Sequence, residues 1–151
     1  MQTRRDMMTR SAAVAALLAG AGVLPAQAQS TWSKAAFEGK SIDDVIKGLG
    51  IAKPVESKDI VFTAPDIAEN GAVVPIGITS KVPQTDSIAI LIEKNPNMLA
   101  AVFDIPPGTD PSLSTRIKMG QTSSVYALVK ANGKYYVTSK EIKVTLGGCG
   151  G

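Results

Sequence analysis

Apolar residues in the first part of the chain recur with the spacing of an α-helix. Four of them follow one another at i, i+3, i+4 and i+7 from Ile42 onward, as on one face of a helix. Ser41 with Asp44 three positions later has the capping-box pattern of a helix start, and Gly50 closes the run. We therefore predict a short helical segment within residues 29–50. It can pack on its own domain or on a partner protein, and the pattern does not separate the two.

Beyond Gly50 the apolar pattern changes to that of short β-strands. Asn132-Gly133 between two of the runs is a strong hairpin signal, whereas Pro75 and Gly77 inside a run indicate an edge strand or a bulge. The pattern predicts an all-β fold, an immunoglobulin-like antiparallel β-sandwich over residues 51–146. The predicted strands cover residues 60–63, 72–79, 87–92, 99–103, 113–119, 123–130, 135–139 and 142–146.

Residues 1–28 have the pattern of an export signal. Arginines at positions 4, 5 and 10 precede an apolar run over residues 12–24, which is too short to cross a bilayer as a helix. Ala26-Gln27-Ala28 provides a cleavage site of small residues. The Arg4-Arg5 pair resembles a twin-arginine signal, so we expect export to the periplasm by that pathway. An ordinary secretory signal that happens to contain two arginines is the alternative.

Removal of this signal changes the charge of the protein. The full chain has 16 basic and 13 acidic residues. Cleavage after Ala28 removes three arginines and Asp6, which leaves 13 basic against 12 acidic residues. Because the mature chain is nearly neutral and has few aromatic residues, we predict neither nucleic-acid binding nor attraction to an anionic membrane.

The last five residues combine a cysteine with glycine. Glycine has no Cβ and visits most backbone conformations, so we predict a flexible C-terminal arm over residues 147–151. Fully extended, five residues reach roughly 17 Å. The preceding run alternates polar and apolar residues up to Leu146, which predicts a strand that anchors the arm. The arm consists of Gly147, Gly148, Cys149, Gly150 and Gly151.

The residue types present leave the Cys149 thiol as the group that can do chemistry. The sequence has no histidine, which excludes a histidine metal site and a Ser–His or Cys–His pair. A single cysteine cannot form an internal disulfide. A free thiol has a pKa of about 8.5, so a few per cent is nucleophilic thiolate at neutral pH and can accept sulfur. We predict that the Cys149 thiol is a carrier group that needs a partner's active site, with no catalytic residue, metal or separate cofactor.

The ending Val144 to Gly151 resembles the C-terminal arm of the SoxY family, the sulfur-carrier subunit of the SoxYZ complex in bacterial thiosulfate oxidation. The signal, the segment from Trp32 to Gly50 and the stretch from Glu69 to Pro75 agree with this resemblance. It implies an immunoglobulin-like sandwich that forms a heterodimer with SoxZ and is exported together with it.

The resemblance also implies the chemistry of the arm. The c-type cytochrome SoxAX conjugates thiosulfate to Cys149 as an S-thiosulfonate, SoxB hydrolyses off sulfate, and SoxCD, where present, oxidises the remaining sulfane sulfur. Two other classes compete. Ubiquitin-like sulfur carriers also end in Gly-Gly, but they are cytoplasmic, so the export signal and Cys149 argue against them. The other alternative is an exported structural β-sandwich whose terminal cysteine forms an intermolecular disulfide.

Overall fold

The computed structural model describes residues 33–146, so the predicted signal over residues 1–28 and the arm over residues 147–151 lie outside the described residues. In that range the chain forms two helices and nine strands. The helices are α1 (Lys34–Glu38) and α2 (Ile42–Gly48). The strands are β1 (Val55–Glu56), β2 (Ile60–Thr63), β3 (Ile67–Ala68), β4 (Val74–Ser80), β5 (Thr85–Ile92), β6 (Leu99–Asp104), β7 (Ser112–Ile117), β8 (Ser123–Ala131) and β9 (Lys134–Val144).

Both helices begin at a serine cap, and the predicted helix is confirmed. The Ser41 hydroxyl accepts a hydrogen bond from the Asp44 amide at 3.1 Å, which satisfies one of the free amides at the start of α2. Gly50 follows the helix with a φ of 68°, a left-handed conformation that favours glycine. Gly48 allows α1 and α2 to approach closely, since a Cβ there would lie 2.7 Å from the backbone of Ala36.

The strands form two sheets in the arrangement of an immunoglobulin-like sandwich. The larger sheet has the order β1-β9-β8-β5-β6, with β3 also paired to β9, and the smaller sheet has the order β2-β4-β7. Neighbouring strands are antiparallel, except that β1 and β3 run parallel to β9. The predicted fold class, an all-β sandwich with a short N-terminal helical segment, is confirmed.

The larger sheet is buried on both faces. Side chains of its inner face, such as Ile88 and Ile90, pack in the core between the two sheets. On its outer face, Ala89 and Leu91 pack with Val45 and other apolar residues of the helical segment. This explains why β5 ends in an uninterrupted apolar run, since strands that are buried on both faces do not alternate. The helical segment therefore packs on its own domain.

Several details differ from the sequence-based expectation. The predicted strands 135–139 and 142–146 form the single strand β9, which ends at Val144. The two-residue strands β1 and β3 were not predicted, because two residues show no period. Of the two alternatives predicted at Pro75 and Gly77, the bulge is absent, because the pairing of β4 with β7 is continuous. An edge is present only locally, since β2 pairs with β4 from Gly77 to Ser80 and leaves Pro75 beside β7 alone. None of the helices in residues 33–146 has the length and apolar character needed to cross a membrane.

Candidate functional site

The five residues predicted to form the site, Gly147, Gly148, Cys149, Gly150 and Gly151, lie outside the described residues. The structure shows instead the point from which they extend. We call this the arm root and define it as Val144, Thr145 and Leu146 together with residues 66–71, the segment that hydrogen bonds to the end of β9.

The arm root is hydrogen bonded up to its last residue. The Thr145 amide donates to the Ala68 carbonyl at 3.1 Å, and the Gly71 amide donates to the Leu146 carbonyl at 2.8 Å. The Thr145 hydroxyl donates to the Glu69 carbonyl at 3.0 Å. The regular strand ends at Val144, two residues earlier than predicted, but these bonds continue the anchoring to Leu146. The backbone is therefore fixed immediately before the first glycine of the arm.

One neighbouring loop holds the arm root from its other side. The Val144 amide donates to the Thr122 hydroxyl oxygen at 2.9 Å, which ties the end of β9 to the loop between β7 and β8. The Met119 amide of that loop donates to the Gly71 carbonyl at 2.6 Å, and its side chain is fully buried. Both bonds come from the loop between β7 and β8, and both involve the protein backbone of the arm root.

One lysine near the arm root has a structural role. The Lys140 ammonium donates to the Ala64 carbonyl at 2.6 Å and forms an ion pair with Asp66 at 3.0 Å. Both partners lie in the stretch that leads from β2 back to β3. Lys140 therefore joins β9 to the segment that connects β2 of the smaller sheet with β3. Glu69 of the arm root and Lys143, which directly precedes Val144, are in contrast exposed to solvent.

Large apolar side chains are exposed around the arm root. Among the described residues, six large hydrophobic side chains are exposed, and three of them belong to this region. Leu146 is 69% exposed, Ile67 is 58% exposed and Val73 is 52% exposed. Leu146 and Val73 were predicted only as strand residues, and Ile67 lay in no predicted element. Asn70-Gly71, between Ile67 and Val73, is the sequence signal that could have indicated a turn in this segment.

The described part of the domain offers no metal site. Within residues 33–146 no group of three His, Cys, Asp or Glu side chains is placed to hold a metal ion. In the same range every buried side-chain nitrogen and oxygen has a hydrogen-bond partner. Ser80 and Ser123 are its buried polar residues, and both hydroxyls are bonded within the fold. What the structure builds at this end of the sandwich is a fixed attachment point for the arm.

Comparisons with known proteins agree with this description. The family described as sulfur oxidation protein SoxY matches residues 47–149 of the chain. A solved structure of the sulfur carrier protein SoxY from Chlorobium limicola f thiosulfatophilum is similar with a TM-score of 0.61 and 36% identity. That similarity covers 69% of this chain and 94% of the Chlorobium protein. The chain therefore belongs to the SoxY family of sulfur oxidation proteins, and the resemblance found in the sequence is confirmed.

Two further comparisons add nothing to this assignment. A chain from a structure on T cell activation by the bacterial superantigen toxic shock syndrome toxin-1 has a TM-score of 0.39 and 14% identity. It covers 56% of this chain and 98% of its own length, and a likeness at this level is too weak to support a shared fold. No curated protein matches the chain.

Proposed function

We propose that this member of the SoxY family is a periplasmic sulfur carrier of thiosulfate oxidation. It holds the intermediates covalently on Cys149 and presents them to partner enzymes. The observation that carries the proposal is the arm root, where hydrogen bonds fix the backbone up to Leu146, three residues before the thiol. The similar Chlorobium protein is itself described as a sulfur carrier. The export pattern of residues 1–28 supports the periplasm and the twin-arginine pathway.

The proposed chemistry begins with thiosulfate. The Cys149 sulfur forms a bond to the sulfane sulfur of thiosulfate, the thiol proton is released, and two electrons pass to the c-type cytochrome SoxAX. The product is an S-thiosulfonate. Water then cleaves the bond between the sulfane and sulfonate sulfurs in SoxB, which releases sulfate and leaves a persulfide on Cys149. Where SoxCD is present, it oxidises the remaining sulfane sulfur.

In this scheme the chain supplies the attachment point and the partners supply catalysis. A sequence without histidine lacks the side chain most often used as a general base near neutral pH. We therefore propose that the protein is a covalent carrier rather than an enzyme, and that its only bound group is the sulfur species on Cys149. A heterodimer with SoxZ, exported as a folded pair, fits the twin-arginine pattern, because that pathway exports folded proteins.

The intact mass of the periplasmic protein, before and after treatment with a thiol reductant, tests the proposal. After growth on thiosulfate we expect reducible mass increments of sulfur or of thiosulfate, confined to the peptide that contains Cys149. Protein from cells grown without thiosulfate is the control. Cys149→Ser is expected to remove these adducts and to abolish thiosulfate-dependent turnover.

The structural alternative gives a different result in the same experiment. If Cys149 only joins two chains, the reductant converts a disulfide-linked dimer into an unmodified monomer, and growth on thiosulfate changes nothing. Cys149→Ser would then abolish the dimer and leave thiosulfate-dependent turnover intact. That pair of results would overturn the carrier proposal.

A further inference from the structure

We infer that the exposed side chains of Ile67, Val73 and Leu146 form a docking surface for the enzymes that act on Cys149. We call these three residues the arm-root patch. The occupant that we assign to it is the apolar rim around the active-site opening of such an enzyme. The inference rests on the proposed function, since it concerns how the carrier presents its thiol.

The length of chain between Leu146 and Cys149 limits how far from the domain an enzyme's active site can lie. Cys149 lies three positions after Leu146, and a fully extended chain spans at most about 3.3–3.6 Å per residue, which gives roughly 10 Å. Leu146 itself is held by the hydrogen bond from the Gly71 amide. An active site that reaches the thiol must therefore lie within about this distance of a fixed point on the domain, apart from the short cysteine side chain. An enzyme whose reactive group lies below its own surface must then contact the residues around Leu146.

The residues around that point are suited to such a contact. Single exposed apolar side chains are common on protein surfaces. Here three of the six exposed large hydrophobic side chains in residues 33–146 lie on two segments that hydrogen bond to each other. Lys143 and Glu69 are exposed beside them. An apolar centre bordered by charged residues is the usual composition of a protein–protein interface.

The patch is also held in place before docking. Ile67 lies in β3 and pairs with Lys143 of β9, and the Leu146 carbonyl is bonded to Gly71. Val73 is followed directly by the buried residue Val74 of β4. Because these backbones are fixed in the free protein, docking does not require the chain at the arm root to become ordered, and that entropy cost of binding is avoided.

Lysine substitutions in the patch test the inference. Purified complexes of SoxZ with the Leu146→Lys, Ile67→Lys and Val73→Lys proteins are loaded by SoxAX with thiosulfate and an electron acceptor, and the adduct on Cys149 is followed by intact mass. We expect kcat/KM for loading to fall about tenfold or more, as for residues at the centre of an interface. Val55→Lys is the matched control, because Val55 is 62% exposed and pairs with Tyr136 near the opposite end of β9. It should load at the wild-type rate.

Two further measurements separate docking from other effects. Alkylation of Cys149 by iodoacetamide should proceed at the same rate in all these proteins, because the small reagent needs no docking surface. Two glycines inserted between Leu146 and Gly147 add about 7 Å of reach. In the Leu146→Lys protein this insertion should restore most of the loading rate, since the enzyme no longer has to rest on the patch.

The outcomes distinguish this inference from the proposed function. If SoxAX does not load the wild-type protein, the carrier proposal fails and the docking surface fails with it. If the wild-type protein loads normally and the three patch variants load equally well, the proposed function stands and the docking surface is wrong. Equal slowing by Val55→Lys, or slower alkylation in the patch variants alone, also overturns the docking surface.

Discussion

The two ends of the sandwich are built in different ways. At the arm end, side chains of one loop bond to the backbone of another. Asn95, between β5 and β6, bonds to the Lys118 carbonyl and the Gly120 amide between β7 and β8, and Thr122 bonds to the Val144 amide. At the opposite end, the hydroxyls of Ser80 and Thr85 bond within the single loop between β4 and β5. A cavity of about 670 Å³ lies there, lined by four prolines: Pro83, Pro106, Pro107 and Pro111.

The distance between the two ends decides whether the cavity can receive Cys149 of the same chain. It is lined in part by Asn132, just before the start of β9, whereas the arm follows the other end of that strand. The 11 residues of β9 span roughly 34 Å at about 3.4 Å per residue. The five residues of the arm reach only about 17 Å. The cavity therefore cannot receive Cys149 of its own chain. Side-chain bonds between loops distinguish the end from which the arm extends, and the cavity lies at the other end.

The largest effect that we expect from this difference concerns Asn95. Asn95→Ala removes the 2.7 Å bond to the Lys118 carbonyl and the 3.2 Å bond from the Gly120 amide. At about 0.5–1.5 kcal/mol for each bond, the free energy of unfolding should fall by about 1–3 kcal/mol. Denaturant unfolding measures the change. Asn97→Ala is the control, because Asn97 lies two positions away, is exposed and makes no side-chain hydrogen bond to the described residues. Equal losses in the two variants would contradict the role given to bonds between loops.

Asn95 also shows what the sequence could not provide. The run Asn95-Pro96-Asn97 indicates a turn, and a turn is present, but nothing local shows that Asn95 is bonded to residues more than 20 positions away. The same holds for β3, whose two residues pair with Lys143 and Val144 of β9, more than 70 positions further along the chain. Long-range partners of short segments depend on the tertiary fold, and a local pattern does not carry that information.

The alternation of apolar residues was enough to predict the sandwich itself. It predicted the helix at Ser41 and most of the strands, because buried faces impose a period on the sequence. The break predicted between residues 139 and 142 was wrong, because Lys140 and Glu141 resemble a turn but continue β9. The site was predicted only as the arm residues around Cys149, and the exposed patch beside it was not. The identity of an apolar residue does not show whether its side chain is buried in the core or exposed on a binding surface.

The opposite end should depend on turn conformation rather than on side-chain bonds between loops. Gly133 has a φ of 70° in the β8–β9 hairpin, and a Cβ there would meet no atom within 4 Å. Gly133→Ala should therefore lower the free energy of unfolding by about 1–2 kcal/mol through backbone strain alone. Gly77→Ala is the control, since a Cβ at that position makes only ordinary contacts at 3.7 Å or more and φ is not positive. The two variants are compared by thermal unfolding, and a larger loss for Gly77→Ala would contradict this account of the hairpin.

The smallest effect should come from Thr145, although this residue lies next to the arm. Thr145→Val keeps the shape of the side chain and removes the bond from its hydroxyl to the Glu69 carbonyl at 3.0 Å. Because Thr145 is exposed, water can replace this bond, and the global loss should stay below about 1 kcal/mol. Amide hydrogen exchange is the sharper measurement. We expect faster exchange at the Thr145 and Gly71 amides, whose bonds to the Ala68 and Leu146 carbonyls join the same two segments.

Thr63→Val is the control for this experiment, since Thr63 is an exposed strand residue whose hydroxyl has no hydrogen-bond partner in residues 33–146. It should leave exchange at the Thr145 and Gly71 amides unchanged. If Thr145→Val also leaves it unchanged, the side-chain bond does not hold the arm root, and the backbone bonds alone fix Leu146. If exchange rises while SoxAX loads Cys149 at the wild-type rate, the arm root can loosen without loss of docking. The exposed patch would then matter more for presenting the thiol than the rigidity of the backbone beneath it.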